Sequence, residues 1–325
     1  MNPIENDGGG VAVAEHCRQV HRSDVRAARR RLAGRIRKTP VFHTSVAGPD
    51  GPVPVTLKLE YLQHGGTFKV RGCLNALLAT TTRADQVIIA SAGNAGIAAA
   101  LSAAWLGKAC TVVVPESAPH TKVAAMWSHG AEVLWHGTTY AEAARYATEL
   151  AAERGALQLH AYDLPAVVAG AGVVGLELED QVRGKPPVLV SVGGGGLVAG
   201  IAAALGRRQQ VVGVEPVGMP ALHAALLANR PVDVGRPGIG LDALGATRVG
   251  EIALDIARRY DVPSLLVTEE AIATAREYLW REFRIVVEPA SACALAAIMS
   301  GAYTPAPGER PVVVLCGANT DLAAL

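Results

Sequence analysis

Apolar runs of strand length recur along the chain at Val55 to Leu59, Gln86 to Ala90, Cys110 to Val114, Glu132 to Trp135, Val188 to Val192, Val211 to Val214 and Pro311 to Leu315. Ala-rich or charged stretches of helical length lie between several of them. Strands that are apolar throughout bury both faces, so this alternation predicts parallel sheets with helices on either side, an α/β fold. A helix is expected ahead of the first strand: Ser23 caps a segment from Asp24 to about Arg37, with Val25, Ala28, Leu32 and Ile36 on one face and Pro40 past its end. Its Arg29, Arg30 and Arg31 read as a solvated face. Gly155 and the Pro186-Pro187 pair read as loop punctuation, and neither a tandem repeat nor a low-complexity linker interrupts the pattern.

Composition narrows the function classes. At 325 residues and 50% hydrophobic content the chain buries enough core for two lobes. We expect a small lobe over residues 81–160 and a large one from 23–80 and 161–325. With 30 basic against 29 acidic side chains, net charge +1, no long-range field draws nucleic acid or anionic lipid. The Ala-rich run from Ile97 to Leu106 falls short of the ~20 apolar residues that span a bilayer, so no membrane partner is expected. Cys17, Cys73, Cys110, Cys293 and Cys316 form no C-x-x-C pair, which argues against zinc and disulfides and for a cytoplasmic location. The acidic, Gly-rich start reads as a disordered leader over residues 1–22.

Two segments carry candidate chemistry. Ser191-Val192-Gly193-Gly194-Gly195-Gly196-Leu197 follows an apolar strand and opens onto a helical Ala-rich stretch. Backbone N–H groups of such a turn, with the positive end of a helix behind them, bind a phosphate without a cationic side chain. A tight packing turn and a dinucleotide site are its rivals. The second segment is His64-Gly65-Gly66-Thr67-Phe68-Lys69-Val70-Arg71-Gly72. Its glycines permit close backbone approach, and a lysine in a partly apolar pocket loses its proton more readily and becomes available for an imine. Lysine and phosphate cradle together suggest pyridoxal phosphate.

Leu57-Lys58-Leu59-Glu60 through Gly72 resembles the lysine motif of the serine/threonine dehydratases, in the tryptophan-synthase-β-like, fold type II group of pyridoxal-phosphate enzymes. Ser91-Ala92-Gly93-Asn94-Ala95-Gly96 is similar to that family's substrate loop, Ser191 to Leu197 to its phosphate loop, and Val287-Glu288-Pro289-Ala290 to its Glu-Pro segment. Val312 to Asp321 resembles the segment facing the pyridine nitrogen, and order and spacing hold from about Ser23 to the C-terminus. The resemblance implies that Lys69 holds the cofactor as a Schiff base and then acts as the base at the substrate Cα. It implies that Asn94 bonds the ring O3′, Phe68 lies against the ring, Gly193, Gly194, Gly195, Gly196 and Leu197 donate to the phosphate, and Cys316 faces N1. Thr67, Ser91, Ala92, Gly93, Asn94 and Ala95 would receive the substrate carboxylate. A thiol at N1 leaves the ring largely neutral, which favours elimination. The implied reaction is dehydration of an L-serine or L-threonine type amino acid to a 2-oxo acid and ammonia, by a homodimer.

Departures refine this expectation. Ala92 stands where many dehydratases and serine racemases have a second serine, as in animal-type serine dehydratases, so racemisation should be weak or absent. Glu215, Met219 and the Leu244 and Ala246 carbonyls match a cation site of the family, while Ala221 lacks the expected side-chain oxygen, a set suited to K+. A salt bridge is the alternative for Glu215. The chain ends soon after Asp321, so a C-terminal effector domain is not expected. Val70 follows the lysine where β-replacement enzymes and threonine synthases usually carry Asp, yet a specialised β-replacement or another β-substituted substrate is the nearest rival. A nucleotide-binding oxidoreductase, with Glu215 about 20 residues past the glycines as its ribose acid, is the remote one.

Overall fold

The computed structural model describes residues 19–235 and 246–321. The first helix, α1 (Arg22–Leu32), is shorter and earlier than the sequence pattern indicates. His21, not Ser23, is its N-cap, because the Asp24 carboxylate turns back to accept the His21 backbone N–H at 2.9 Å. Gly34, at φ +74°, follows its end. Val20, placed by the sequence reading within the leader, is 1% exposed and packs in the core.

A hairpin follows, of β1 (Val41–Gly48) and β2 (Gly51–Lys58), leading to α2 (Lys69–Ala79). Next come β3 (Gln86–Ala90), α3 (Asn94–Trp105), β4 (Ala109–Val114), α4 (His120–Ser128), β5 (Glu132–Trp135), α5 (Tyr140–Arg154) and β6 (Leu157–Leu159). Then α6 (Pro165–Ala171), α7 (Val173–Gln181), β7 (Val188–Ser191), α8 (Gly196–Leu205), β8 (Val211–Pro216) and α9 (Ala221–Ala228) bring the chain to residue 228. The last elements are α10 (Glu251–Arg259), β9 (Ser264–Val267), α11 (Glu269–Phe283), α12 (Pro289–Met299) and β10 (Val312–Val314).

Two sheets result. One has the order β1-β2-β10-β7-β8-β9, parallel except for the β1–β2 pair; the other is β5-β4-β3-β6 and wholly parallel. Alternate side chains explain why these strands read as apolar throughout. Val188 and Val190 of β7 enter one core and Leu189 the core on the opposite face, as do Val312 and Val314 against Val313 of β10. In the second sheet Val87 and Ile89 face one core and Ile88 the other. Strands β1, β6 and β9 escape the apolar pattern because they lie at sheet edges and keep side chains partly exposed. Among the described residues no helix is long and apolar enough to cross a membrane. The carboxyl ends of β2, β10 and β7 point the same way, and the loops that leave β2 and β10 meet the start of α3 just past β3, where open α/β sheets bind ligands.

Candidate active site

Lys69 is the first residue of α2, and its amine is buried although the side chain as a whole keeps some exposure. The amine donates to the Ala161 carbonyl at 2.9 Å and stands 5.1 Å from the Phe68 ring centre and 6.0 Å from that of Tyr162. Burial pushes its pKa below the ordinary lysine value, against the raising influence of Cys73, Cys316 and Glu288. Two backbone ties fix the approach to this helix. Phe68 N–H donates to Cys316 O at 3.0 Å, and Thr67 bridges to Gly317. The Thr67 hydroxyl, fully buried, accepts the Lys69 backbone N–H at 3.4 Å.

Beneath the start of α2 lies a buried ionic network. Arg71 donates from Nε and Nη2 to the two Glu60 oxygens at 2.7 and 2.8 Å, and from Nη1 to Glu177 at 2.7 Å. Lys58 completes it at 2.6 Å from Glu177, and Lys58, Glu60 and Arg71 are all fully buried. Two cations thus balance two carboxylates two residues from the candidate lysine.

The glycine turn runs from β7 into α8. Gly195 has φ +87°, a conformation costly for side chains other than glycine, and Gly196 opens the helix. A Cβ at Gly194 would lie 2.3 Å from Tyr162 Cδ1, so the Tyr162 ring rests directly on the turn. The Tyr162 hydroxyl donates to Arg248 O at 3.2 Å. His160 Nδ1 accepts the Asp163 backbone N–H at 2.9 Å, and burial lowers its pKa, so the neutral ring carries its proton on Nε2.

After β3, Ser91 is buried rather than presented to the cleft. Its hydroxyl oxygen accepts from Gly93 N–H at 3.2 Å and Gly96 N–H at 3.0 Å. The Ser91 hydroxyl oxygen therefore caps α3 through the Gly96 N–H, which leaves the first-turn N–H groups of Asn94 and Ala95, and that of Ala92 just ahead of the helix, for an anion. The Asn94 side chain does not project alone into the cleft. Its Nδ2 donates to both Glu288 oxygens at 2.8 and 2.9 Å, and its Oδ1 accepts from Asn319 Nδ2 at 2.8 Å.

Cys316 is 8% exposed at the end of β10, its sulfur 3.2 Å from Ser291 Oγ. The single Ser291 proton goes to Gly317 O at 2.6 Å, so the Cys316 thiol donates to Ser291. Burial pushes this thiol up to about 12, and it stays protonated.

Among the described residues Glu215 makes no salt bridge: its oxygens accept Leu222 N–H at 2.7 Å, His223 N–H at 2.8 Å and Ser264 Oγ at 2.5 Å, which caps α9. The Met219 carbonyl already accepts Ala221 N–H at 3.0 Å, and Ala246 lies at the edge of a segment whose Leu244 is outside the described residues. Nor, among the described residues, are three His, Cys, Asp or Glu side chains grouped to hold a metal.

Sequence reasoning did not find Tyr162, His160, Asn319 or the partnership of Glu288 with Asn94. None stands in a Gly-rich frame, and their importance arises from loops meeting in space.

The family model described as "Pyridoxal-phosphate dependent enzyme" matches residues 32–317. An L-threonine ammonia-lyase of Geobacter sulfurreducens is 36% identical over 90% of this chain and 74% of that protein. A solved T.th. threonine deaminase superposes with a TM-score of 0.83 at 34% identity, covering 92% of this chain and 98% of that one. A serine racemase from Dictyostelium discoideum gives a TM-score of 0.83 at 30% identity, covering 93% and 99%.

Proposed function

Because the chain belongs to the family of pyridoxal-phosphate-dependent enzymes, we propose that it works as an ammonia-lyase, eliminating the β-hydroxyl of an L-threonine or L-serine type amino acid to give a 2-oxo acid and ammonia. The observation that carries this reading is the meeting, in one cleft, of a buried amine and a glycine turn, with the Tyr162 ring 6.0 Å from the Lys69 nitrogen and resting on Gly194.

The residues present fit the cofactor. The Gly193 to Leu197 turn offers backbone donors at the positive end of α8, suited to a phosphate dianion, and the buried Lys69 amine is biased towards its neutral form. When bound, pyridoxal phosphate supplies an aldehyde for amines and a ring that draws electrons from the substrate Cα.

The other assignments concern this chain's own groups. Lys69 takes the Cα proton, and the carbonyl of Ala161 orients its nitrogen. The N–H groups of Ala92, Asn94 and Ala95 receive the substrate carboxylate, while the buried Thr67 hydroxyl holds the Lys69 backbone. Phe68 would wall the ring, Asn94 would donate to its oxygen, and Cys316, kept as a neutral thiol by burial, would face its nitrogen without adding a negative charge. The β-hydroxyl leaves as water, and the released enamine hydrolyses in solution. Residues 81–160 act as the unit that closes over the substrate and excludes water. The family resemblance supports a homodimer in the cytoplasm. A cation at Glu215 forms no part of this reading.

The test is a panel of β-hydroxy amino acids with the purified holoenzyme, followed by 2-oxo acid formation. L-threonine or L-serine should give 2-oxo acid with equimolar ammonia. Turnover of neither would remove the reading.

A further inference from the structure

Glu288 is a fully buried carboxylate at the N-cap of α12, and the chemistry assigned above gives it no task. Its oxygens take both contacts from Asn94 Nδ2, at 2.8 and 2.9 Å, and Oε1 also accepts the Asn319 backbone N–H at 2.7 Å. Asn319 in turn donates from Nδ2 to Asn94 Oδ1 and to Gly65 O, each at 2.8 Å. Four stretches of chain are thereby clamped together: the Gly65 turn before Lys69, the start of α3, the start of α12, and the loop after β10.

The clamp decides which way the Asn94 amide faces. A carboxylate only accepts, so the Asn94 atom toward Glu288 must be the NH2 group; an amide nitrogen of Asn319 only donates, so the atom toward it must be the oxygen. An NH2 nearly equidistant from two carboxylate oxygens shares one hydrogen between them. The second hydrogen meets no protein acceptor among the described residues.

We propose that Glu288 is a positioning residue: acting with Asn319, it locks the Asn94 amide with that second N–H presented to the cofactor's ring oxygen. This rests on the functional reading above and adds a residue to it. A donor to the ring oxygen stabilises its anion and competes with the proton on the adjoining lysine nitrogen. Loss of the donor therefore raises the pH at which the holoenzyme's visible absorbance changes. The Glu288 charge alone acts in the opposite sense, because a nearby negative charge stabilises a protonated nitrogen and its removal lowers that midpoint. The sign of the shift separates positioning from simple charge.

The experiment titrates the visible absorbance of the holoenzyme and its Glu288→Asp variant, which keeps the charge and withdraws it by one methylene. The expected result is an upward shift on the order of half a pH unit or more, absent when Glu288→Asp is placed on Asn94→Ala. An unchanged or lowered midpoint, or an equal upward shift in the Asn94→Ala background, overturns the proposal. Should Glu288→Asp not fold, a cycle of Glu288→Gln with Asn94→Ala decides it. Non-additive midpoints support the clamp and additive ones overturn it. If the unaltered protein takes up pyridoxal phosphate without any lysine-linked visible band, it is the functional reading that fails.

Discussion

At Ala92 a single missing hydroxyl separates two outcomes for one Cα. On the proposed reading Lys69 works from one side of Cα, and the methyl of Ala92, at the place of the second serine that the resemblance implies, can neither give nor take a proton from the other. Amino acid recovered after incubation of the holoenzyme in D2O should therefore carry deuterium only in the L configuration, read by chiral chromatography with mass spectrometry. Appreciable D-enantiomer would contradict a one-sided base. Residues of this kind were legible in the sequence because their neighbours are unusual: glycines and a rare Phe frame Lys69, and four glycines mark the phosphate turn. Ser91 was legible as a polar residue of the loop but not as its internal cap, since only the fold shows which N–H groups its oxygen meets. Glu288 was legible as part of a Glu-Pro segment. Its hold on Asn94, 194 residues earlier in the chain, was not.

Elements transmit that residue chemistry through close approach. The turn between β7 and α8 must be glycine at position 194 because the Tyr162 ring occupies the place of a Cβ. Gly194→Ala should overpack this contact by about 1–3 kcal/mol and weaken cofactor binding correspondingly, with Tyr162→Ala in the same chain restoring much of the affinity. Equilibrium titration of the apoprotein with pyridoxal phosphate measures both; an unaltered Kd in Gly194→Ala would show that ring and turn are not in contact. Central strands such as β3, β4 and β7 were read close to their observed limits, because burial on both faces leaves an uninterrupted apolar run. The edge strands β1, β6 and β9 were not, because their partly exposed faces admit polar residues that break it, although β5, also at an edge, was read at its observed limits. The start of α1 was misplaced because Asp24 caps it from within the first turn.

For the molecule as a whole, the two sheets and their helices put the cleft where loops from both converge, and the ionic network beneath α2 ties β2 to α7. Glu60 shows how that network responds to pH. Burial by itself would raise its carboxyl, but Arg71, Lys58 and Thr39 outweigh burial and hold it below its ordinary 4.5. A carboxyl depressed on folding contributes stability that is complete above its unfolded value and disappears as pH falls through the folded one. The Tm should therefore fall with acidification below about pH 4.5, and Glu60→Gln should be less stable than the native chain near neutrality yet show a shallower acid decline. Parallel acid slopes in the two proteins would contradict this role for Glu60. The alternation of apolar strand-length runs with helical stretches made the α/β class visible from the outset. It did not reveal a buried Lys58 or Arg71, which in sequence look like ordinary surface charges and become interior ones only once Glu60 and Glu177 are folded against them.

The central claim is that Lys69 is the amine that takes the cofactor and works on the substrate. Borohydride reduction of the pyridoxal-phosphate-loaded protein, followed by proteolysis and mass spectrometry of the peptides, tests it most directly. A stoichiometric phosphopyridoxyl adduct on Lys69, lost together with 2-oxo acid formation in Lys69→Ala, is the predicted result. An adduct at Lys58 or Lys122 in its place, or a Lys69→Ala protein that still turns over L-threonine, would contradict the account.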